Sequence, residues 1–550
     1  MTQQIDYYVI AAPLTLAVAA ALVLVLDAFL PARRRAVPGL VTLVGVLAAL
    51  GFVVAQSLST AAARGGAGAG GAGASGPGVG AAGASGAGAG GGGAATFCVP
   101  PGLASGERLC SFVMDGFALV FAGLVLVAAV VVVLLSMTEV AGGGIPVGEW
   151  YFLLLCTLVG AVTLPASRDL VMLVVALELV SLPVFALTAL RRYDGRASEA
   201  AVKLFVVSVV STAVMLFGVS LLYGVAGTVH LSRLGEVLGG RVRAPGADPG
   251  SYAPLLEAGH GLPAVVTVGV VLVTAGFAFK IAAVPFHFWA ADVYQGAPVP
   301  VAALLSVISK AAGFAGLILV LVAALAGQAA TWVPVVGVLA ALTMSVGNLL
   351  AMRQRHAVRL LAWSSVAQSG YVLAALAATA PASAGHTRAA TTLGPVGAAL
   401  AYLVIYAAMN LGAFAVVMLV SRAAPGNELD DYRGLAFRSP AAGLALAFCL
   451  VCLAGLPPGL AGLFAKVFVF RELVGSGTGW LALVMAVNTV IGLYYYAAWA
   501  GRVFTPGPAA SRSRTLPATW LAVGVALAAA ILFSVAPQLV LDLTALSALG

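Results

Sequence analysis

The stretch LVTAGFAFKIAAVPFHFWAADVYQGAPVP, residues 272–300, decides how the chain is read. It sets Lys280 inside an apolar run and follows it with Pro285 and His287. A charge at membrane depth costs ~2.5–3.5 kcal/mol even on lenient insertion scales, so a chain keeps one there for a reason. Proline removes a backbone donor and interrupts a helix, and such a break is tolerated in a membrane only where protein or water satisfies the freed groups. The stretch reads as a broken membrane helix with a cation beside its break.

Composition agrees. Of 550 residues, 62% are hydrophobic and 8% charged, with a mean hydropathy of +1.09, and no soluble domain hides that much apolar surface. Apolar runs of about 20 residues, the length that crosses ~30 Å of hydrocarbon as a helix, recur from end to end. The first begins near Tyr8 with no basic region ahead of it, and is expected to be a retained span, not a cleaved signal peptide. The fold class is an all-α polytopic membrane protein of about fourteen transmembrane helices, at roughly 8–30, 37–58, 113–137, 149–164, 168–190, 199–224, 263–284, 300–325, 331–351, 357–379, 395–421, 440–472, 478–502 and 517–537. Between the second and third runs lies a Gly/Ala-rich segment, about 61–96, with nothing to bury and no periodicity, read as a disordered loop.

The net charge of +8 would suggest nucleic acid in a soluble protein, but here the cations cluster between spans. Fifteen of the twenty-three arginines follow odd-numbered spans, among them Arg191, Arg192 and Arg196, then Arg353, Arg355 and Arg359. Basic loops stay cytoplasmic, so both termini are expected on the non-cytoplasmic side of the cell membrane. Of five cysteines, Cys449 and Cys452 form a CxxC within an apolar run and read as packing. Cys98 and Cys110 share one loop and are candidates to pair if that loop is exported. No set has cluster or zinc spacing, and no phosphate-cradling or dinucleotide motif appears in a fitting context.

The chain has only four lysines, Lys203, Lys280, Lys310 and Lys466, and each lies within or at the edge of an apolar span. A coding preference for arginine explains their scarcity but would scatter the survivors among loops. Arginine keeps its proton permanently, whereas a lysine taken out of water can release and recover one. Glu178 is an acid near the middle of a span, and Glu199 stands four residues before Lys203, a candidate ion pair on one helix face. Structural pairing alone is the alternative, less favoured reading of Glu199 with Lys203, and a packing anchor that of Glu178. Lys280 and Lys466 resist it, because both stand near helix breakers, Pro285 in one case and Pro457 with Pro458 in the other. Lys310 is intermediate. His287 suits proton exchange near neutral pH and equally suits a hydrogen bond at a helix end. With units at 149–325 and 331–502, flanked by a three-helix region at 1–148 and a C-terminal helix at 517–550, the lysine falls in the fourth helix of each unit. An odd helix number makes the units inverted repeats, with the seventh and twelfth helices discontinuous.

The motifs LELVSLPVFAL, EAAVKLF, FKIAAVPFHFWAADVYQGAPVPVAALLSVISKAAG, LLAWSSVAQSGY, YLVIYAAMNLGAF, DDYRGLAFRSP and LAGLPPGLAGLFAKVFVF stand in this order between about residues 115 and 505. Together they resemble the antiporter-like subunits of the proton-pumping NADH:quinone oxidoreductase, respiratory complex I, in the subunit N type. The resemblance implies fourteen helices with two inverted five-helix repeats. It implies proton translocation through Glu178, Lys203 facing Glu199, Lys280, Lys310 and Lys466, coupled to quinone reduction elsewhere. It implies no cofactor in this chain, with NADH, FMN, iron–sulfur clusters and quinone in partner subunits. The expected partners are the other membrane subunits of the complex, including a neighbouring antiporter-like subunit and small helical subunits. Lysine at 466 separates the chain from the M pattern, and the short C-terminus from L. Two departures stand out: Gln368 occupies a position where the family usually has histidine, and Arg168 replaces a small amide. A sodium/proton antiporter or hydrogenase-linked pump subunit is the alternative within transport, and a structural membrane scaffold is the alternative outside it.

Overall fold

The computed structural model describes residues 5–31, 36–69, 93–100, 109–191, 193–239, 262–379, 393–507 and 517–545. The described residues are almost entirely helical: α1 Ala11–Phe29, α2 Ala36–Ala69, α3 Gly116–Ala141, α4 Val147–Thr163, α5 Leu170–Ala189, α6 Gly195–Ala226 and the short α7 Leu231–Leu238. Next come α8 Leu262–Lys280, α9 Ala290–Gly296, α10 Val299–Ala324, α11 Ala329–Ala351, α12 Ala357–Ala377 and α13 Gly394–Ser421. The chain continues with α14 Pro440–Ala454, α15 Leu460–Gly475, α16 Gly479–Phe504, α17 Pro517–Val535 and α18 Gln538–Ala545. Among the described residues, twelve helices are long and apolar enough to cross a membrane, and two shorter apolar helices, Ala264–Lys280 and Pro440–Ala454, lead into the two breaks. Hydroxyls along the spans, such as those of Thr42, Ser136 and Thr188, donate to the carbonyl one turn back, so these polar groups need nothing from lipid.

Two expectations change. The Gly/Ala-rich segment is not a loop at its ends: α2 continues to Ala69, and Ala94–Cys98 forms a strand, β1. Alanine is the best helix former, which carries α2 past the apolar run, and the strand is decided by a distant partner. Residues 70–92 lie outside the described ones. The fold is also not purely helical, since β1 pairs antiparallel with β2, Cys110–Met114, in a hairpin where Cys98 and Cys110 sit opposite each other and form a disulfide.

The connections gather at two ends. At one, Asp6 N donates to Thr96 Oγ1 at 3.1 Å, Phe112 bridges to Ser167, and Asp169 bridges to His230, which joins the N-terminal segment to the second, fourth and sixth connections. Arg168 fastens this end, donating to Pro165 O and Ser167 O at 2.9 Å each and pairing with Asp115. At the other end Arg191 pairs with Glu139, His356 bridges to Glu428, and Arg359 pairs with Asp292. Between the ends, α12 and α13 are surrounded on all sides, with nearly every residue buried. Large apolar side chains such as Val209, Phe217, Leu483 and Val490 remain exposed on the outer helices, as a lipid-facing surface requires.

Candidate functional site

Both predicted breaks are present, and they share one physical device. Helix α8 ends at Lys280, and residues 281–289, which contain Pro285, are non-helical before α9 begins. Helix α14 ends at Ala454, turns through Gly455 at φ +85°, passes Pro457 and Pro458, and resumes as α15. The last carbonyls of a helix have no partner within it and carry partial negative charge. Lys280 occupies the last turn of α8, while Lys466 reaches back from α15 to donate to Leu453 O at 3.2 Å and Ala454 O at 2.7 Å, at the end of α14. Each lysine therefore sits at the carbonyl end of a half-helix. Gly455 is required there: φ is positive, and an added Cβ would stand 3.4 Å from Lys466 Nζ.

Lys280 is buried among polar groups from two other helices. Glu178 and Ser181 are three apart on α5, and Ser208 and Thr212 four apart on α6, so each pair shares a helix face. Lys280 Nζ donates to Ser181 Oγ at 2.5 Å and Ser208 Oγ at 3.0 Å, and lies 3.7 Å from Glu178 Oε1. The same carboxylate oxygen accepts from Thr212 Oγ1 at 2.7 Å. The next link is short: Ser369 Oγ donates to Ile281 O at 2.9 Å and accepts from Lys310 Nζ at 2.9 Å. Lys310 is 2% exposed, also donates to Ser365 O, and follows a π-helical turn at Leu305–Ser309.

From Lys310 to Lys466 the polar groups are tyrosines and amides. Tyr402 donates its hydroxyl hydrogen to Gln368 Oε1, Gln368 Nε2 donates to Tyr496 OH at 3.1 Å, and Tyr496 shares a hydrogen bond with Ser364. Tyr371 stacks on Tyr402 at 5.8 Å, and Lys466 Nζ stands 5.8 Å from the Tyr371 ring centre. Asn348 Nδ2 donates to Tyr371 OH at 3.3 Å and to Asn488 Oδ1 at 3.2 Å. Gln368 is thus held at both ends of its amide in the middle of the site.

The structure separates Lys203 from this line. It pairs with Glu199 at 2.7 Å, as the i,i+4 spacing predicts, but also with Asp292 at 3.4 Å, and is 45% exposed. With Arg196 and Gln295 these residues line a polar cleft of about 250 Å³. Arg359 completes the group, donating to Asp292 Oδ1 and Gln295 Oε1 at 2.9 Å each. Glu178 pairs with Lys280 and not with Lys203. His287 lies in the first break with its ring 5.4 Å from Trp363. The sequence reading missed Asp292, although it lies in the opening stretch, and missed the tyrosines, which in an apolar run look no different from packing residues.

Residues 167–492 match the model of the family described as NADH:quinone oxidoreductase/Mrp antiporter, TM. The chain is 46% identical over 509 residues to NADH-quinone oxidoreductase subunit N 2 of Streptomyces griseus, covering 92% of this chain and 84% of that one. It is 48% identical over 404 residues to NADH-quinone oxidoreductase subunit N of Salinispora tropica, covering 73% of each. Among solved structures it resembles a chain of respiratory complex I from Thermus thermophilus with bound aureothin, at 27% identity and TM-score 0.68, over 96% of this chain and 98% of that one. A chain of the Mrp complex from Dietzia shares the fold at TM-score 0.73 and 20% identity, over 98% of this chain and 96% of that one. The chain belongs to the NADH:quinone oxidoreductase/Mrp antiporter membrane-subunit family, in its subunit N branch.

Proposed function

We propose that this chain is the proton-conducting subunit N of an NADH:quinone oxidoreductase, moving protons along Glu178, Lys280, Lys310 and Lys466 while quinone is reduced in other subunits. The observation that carries the reading is the nature of the lysine contacts. Lys280 and Lys310 are held by Ser181, Ser208 and Ser369 hydroxyls, which can accept from an ammonium and, after rotating, donate to a neutral amine. Carbonyls at Lys466 accept N–H from either form. These sites can serve both protonation states, which a purely structural ion pair does not need. Glu178 is the one carboxylate paired with Lys280 among the described residues, so a charge change at its side of the subunit alters the balance at Lys280 first. Moving one charge against ~150 mV takes about 3.5 kcal/mol, within what a buried charge pair can supply.

Redox groups are assigned to partner subunits: NADH, FMN, iron–sulfur clusters and quinone. The two breaks, each with a lysine at the carbonyl end of a half-helix, support counting α8 with α9 and α14 with α15 as the seventh and twelfth of fourteen spans in two inverted repeats. Arginines on odd connections and a disulfide in the second connection support cytoplasmic odd connections and exported termini in the cell membrane. The partners are a neighbouring antiporter-like subunit and small helical subunits.

The test is the reconstituted complex carrying Lys310→Met. The expected result is quinone reduction with fewer protons moved per electron; an unchanged ratio in a fully assembled complex would return the lysines to an anchoring role.

A further inference from the structure

The two breaks differ in what faces their lysines. Lys280 has the Glu178 carboxylate beside it, whereas Lys466, also buried, pairs with no carboxylate among the described residues. Its amino group has the Leu453 and Ala454 carbonyls and, 5.8 Å away, the ring of Tyr371. An aromatic face attracts an ammonium within ~6 Å of its centre, and does so more strongly out of water. The attraction depends on placement, because the rim of a ring is positive where its face is negative. Stacking on Tyr402 steadies the tilt of the Tyr371 ring but does not stop it sliding.

Its hydroxyl end is gripped by a buried amide. Asn348 donates through Nδ2 to Tyr371 OH at 3.3 Å and to Asn488 Oδ1 at 3.2 Å, while its Oδ1 accepts from Tyr495 OH at 3.0 Å. Asn488 spends its own Nδ2 on Ser345 Oγ at 3.1 Å and Val484 O at 3.0 Å. Each amide thus has its NH2 group and its oxygen in use, at 1% and 2% exposure, so neither turns without breaking bonds. The Thr489 hydroxyl is a further partner of Tyr371. Ser345 and Asn348 are three apart on α11, and Asn488 and Tyr495 seven apart on α16, so each pair lies on one helix face. Gly347 and Gly370, beside Asn348 and Tyr371 in the chain, bring α11 and α12 into backbone contact: an added Cβ would stand 2.5 Å from Ala367 N and 2.6 Å from Met344 N. Joining apolar helices does not require such a network, since apolar groups of the same shape hold a core about as well. What the amides add is direction.

We propose that Asn348 is a positioning residue for Lys466: it holds the Tyr371 ring toward the ammonium, so that the ring takes at the second break the part that the Glu178 carboxylate takes at the first. A ring attracts the ammonium without a counter-charge, which leaves the amine free to give up its proton. This role rests on the proton-conducting reading, whereas the placement of the ring by Asn348 does not.

In a density map of the assembled complex, Asn348→Leu is expected to leave α11, α12 and α16 in place while the Tyr371 ring slides until its centre is beyond ~6 Å of Lys466 Nζ. Proton movement coupled to quinone reduction is expected to fall roughly five- to thirtyfold, the range for one buried contact of this kind. Adding Tyr371→Leu to that variant is expected to change proton movement by less than about twofold, because both substitutions act through one ring. A ring still seated at Lys466 overturns the positioning role, whether or not Lys310→Met alters pumping. A displaced ring with unchanged proton movement, or losses that add in the double variant, shows that Asn348 does not act on Lys466 through the ring. If Asn348→Leu does not assemble, Tyr495→Phe removes only the hydroxyl that orients the amide and is read by the same two measurements.

Discussion

Glu178 and Lys280 stand 3.7 Å apart across two helices, and the carboxylate is steadied from a third by the Thr212 hydroxyl. The pair joins a partly exposed acid on α5 to a buried amine at the end of α8. On the proposed function, it is the place where an outside electrical change would enter.

Glu178→Gln keeps the shape and the Thr212 contact while deleting the charge. Charge-assisted contacts at buried sites are worth ~1.5–3 kcal/mol, so proton movement coupled to quinone reduction should slow by roughly ten- to a hundredfold. Parallel assays of quinone reduction and proton uptake in vesicles check this, and equal coupling in variant and parent would count against the pair as the input.

Gly462→Ala should disrupt the second break. An added Cβ would stand 1.7 Å from Cys452 O, so the two half-helices would have to separate, moving Lys466 off the Leu453 and Ala454 carbonyls. Overpacking of this kind costs ~1–3 kcal/mol or more. Blue-native electrophoresis and thermal melting of the complex report the loss, and normal stability would show that the break accommodates a methyl group.

Arg168→Gln should loosen the end where the hairpin meets the fourth connection, because three acceptors lose their donor, one of them the Asp115 carboxylate. A loss of about 1–3 kcal/mol is expected, read as earlier thermal dissociation. At the same end, Cys98 and Cys110 should react with a membrane-impermeant maleimide only after reduction and only from the exported side. Labelling without reductant would deny the disulfide, and labelling from the cytoplasmic side would invert the topology.

His356 caps α12 by accepting from Arg359 N at 3.4 Å through Nδ1, which requires a ring without a proton on that nitrogen. Burial holds its pKa below the ordinary 6.5, with Arg359 and Arg196 acting the same way against an opposing pull from Glu428. A depressed pKa means the cap is at full strength above about 6.5 and is lost as pH falls through the lower folded value. Stability of the complex should fall as pH drops below about 6.5 toward the lower folded value, and His356→Asn, another good cap, should flatten that slope. An identical slope in the variant would place the titration elsewhere.

The sequence by itself determined that the chain is a bundle of membrane helices, where two of them break, and that its few lysines lie within or at the edge of apolar spans. Hydropathy, proline and the cost of a buried charge are properties of the local chain, and they can be read there. Only the tertiary structure decided which groups meet. It gave Lys280 rather than Lys203 to Glu178, because helix packing and not spacing along the chain selects neighbours across helices. It gathered Tyr402, Gln368 and Tyr496 into one hydrogen-bonded group, with Tyr371 stacked on Tyr402 and facing Lys466, since a hydroxyl's partner lies tens of residues away. It also turned the ends of a glycine-rich segment into a helix and a strand, because a strand exists only where a second strand receives its hydrogen bonds.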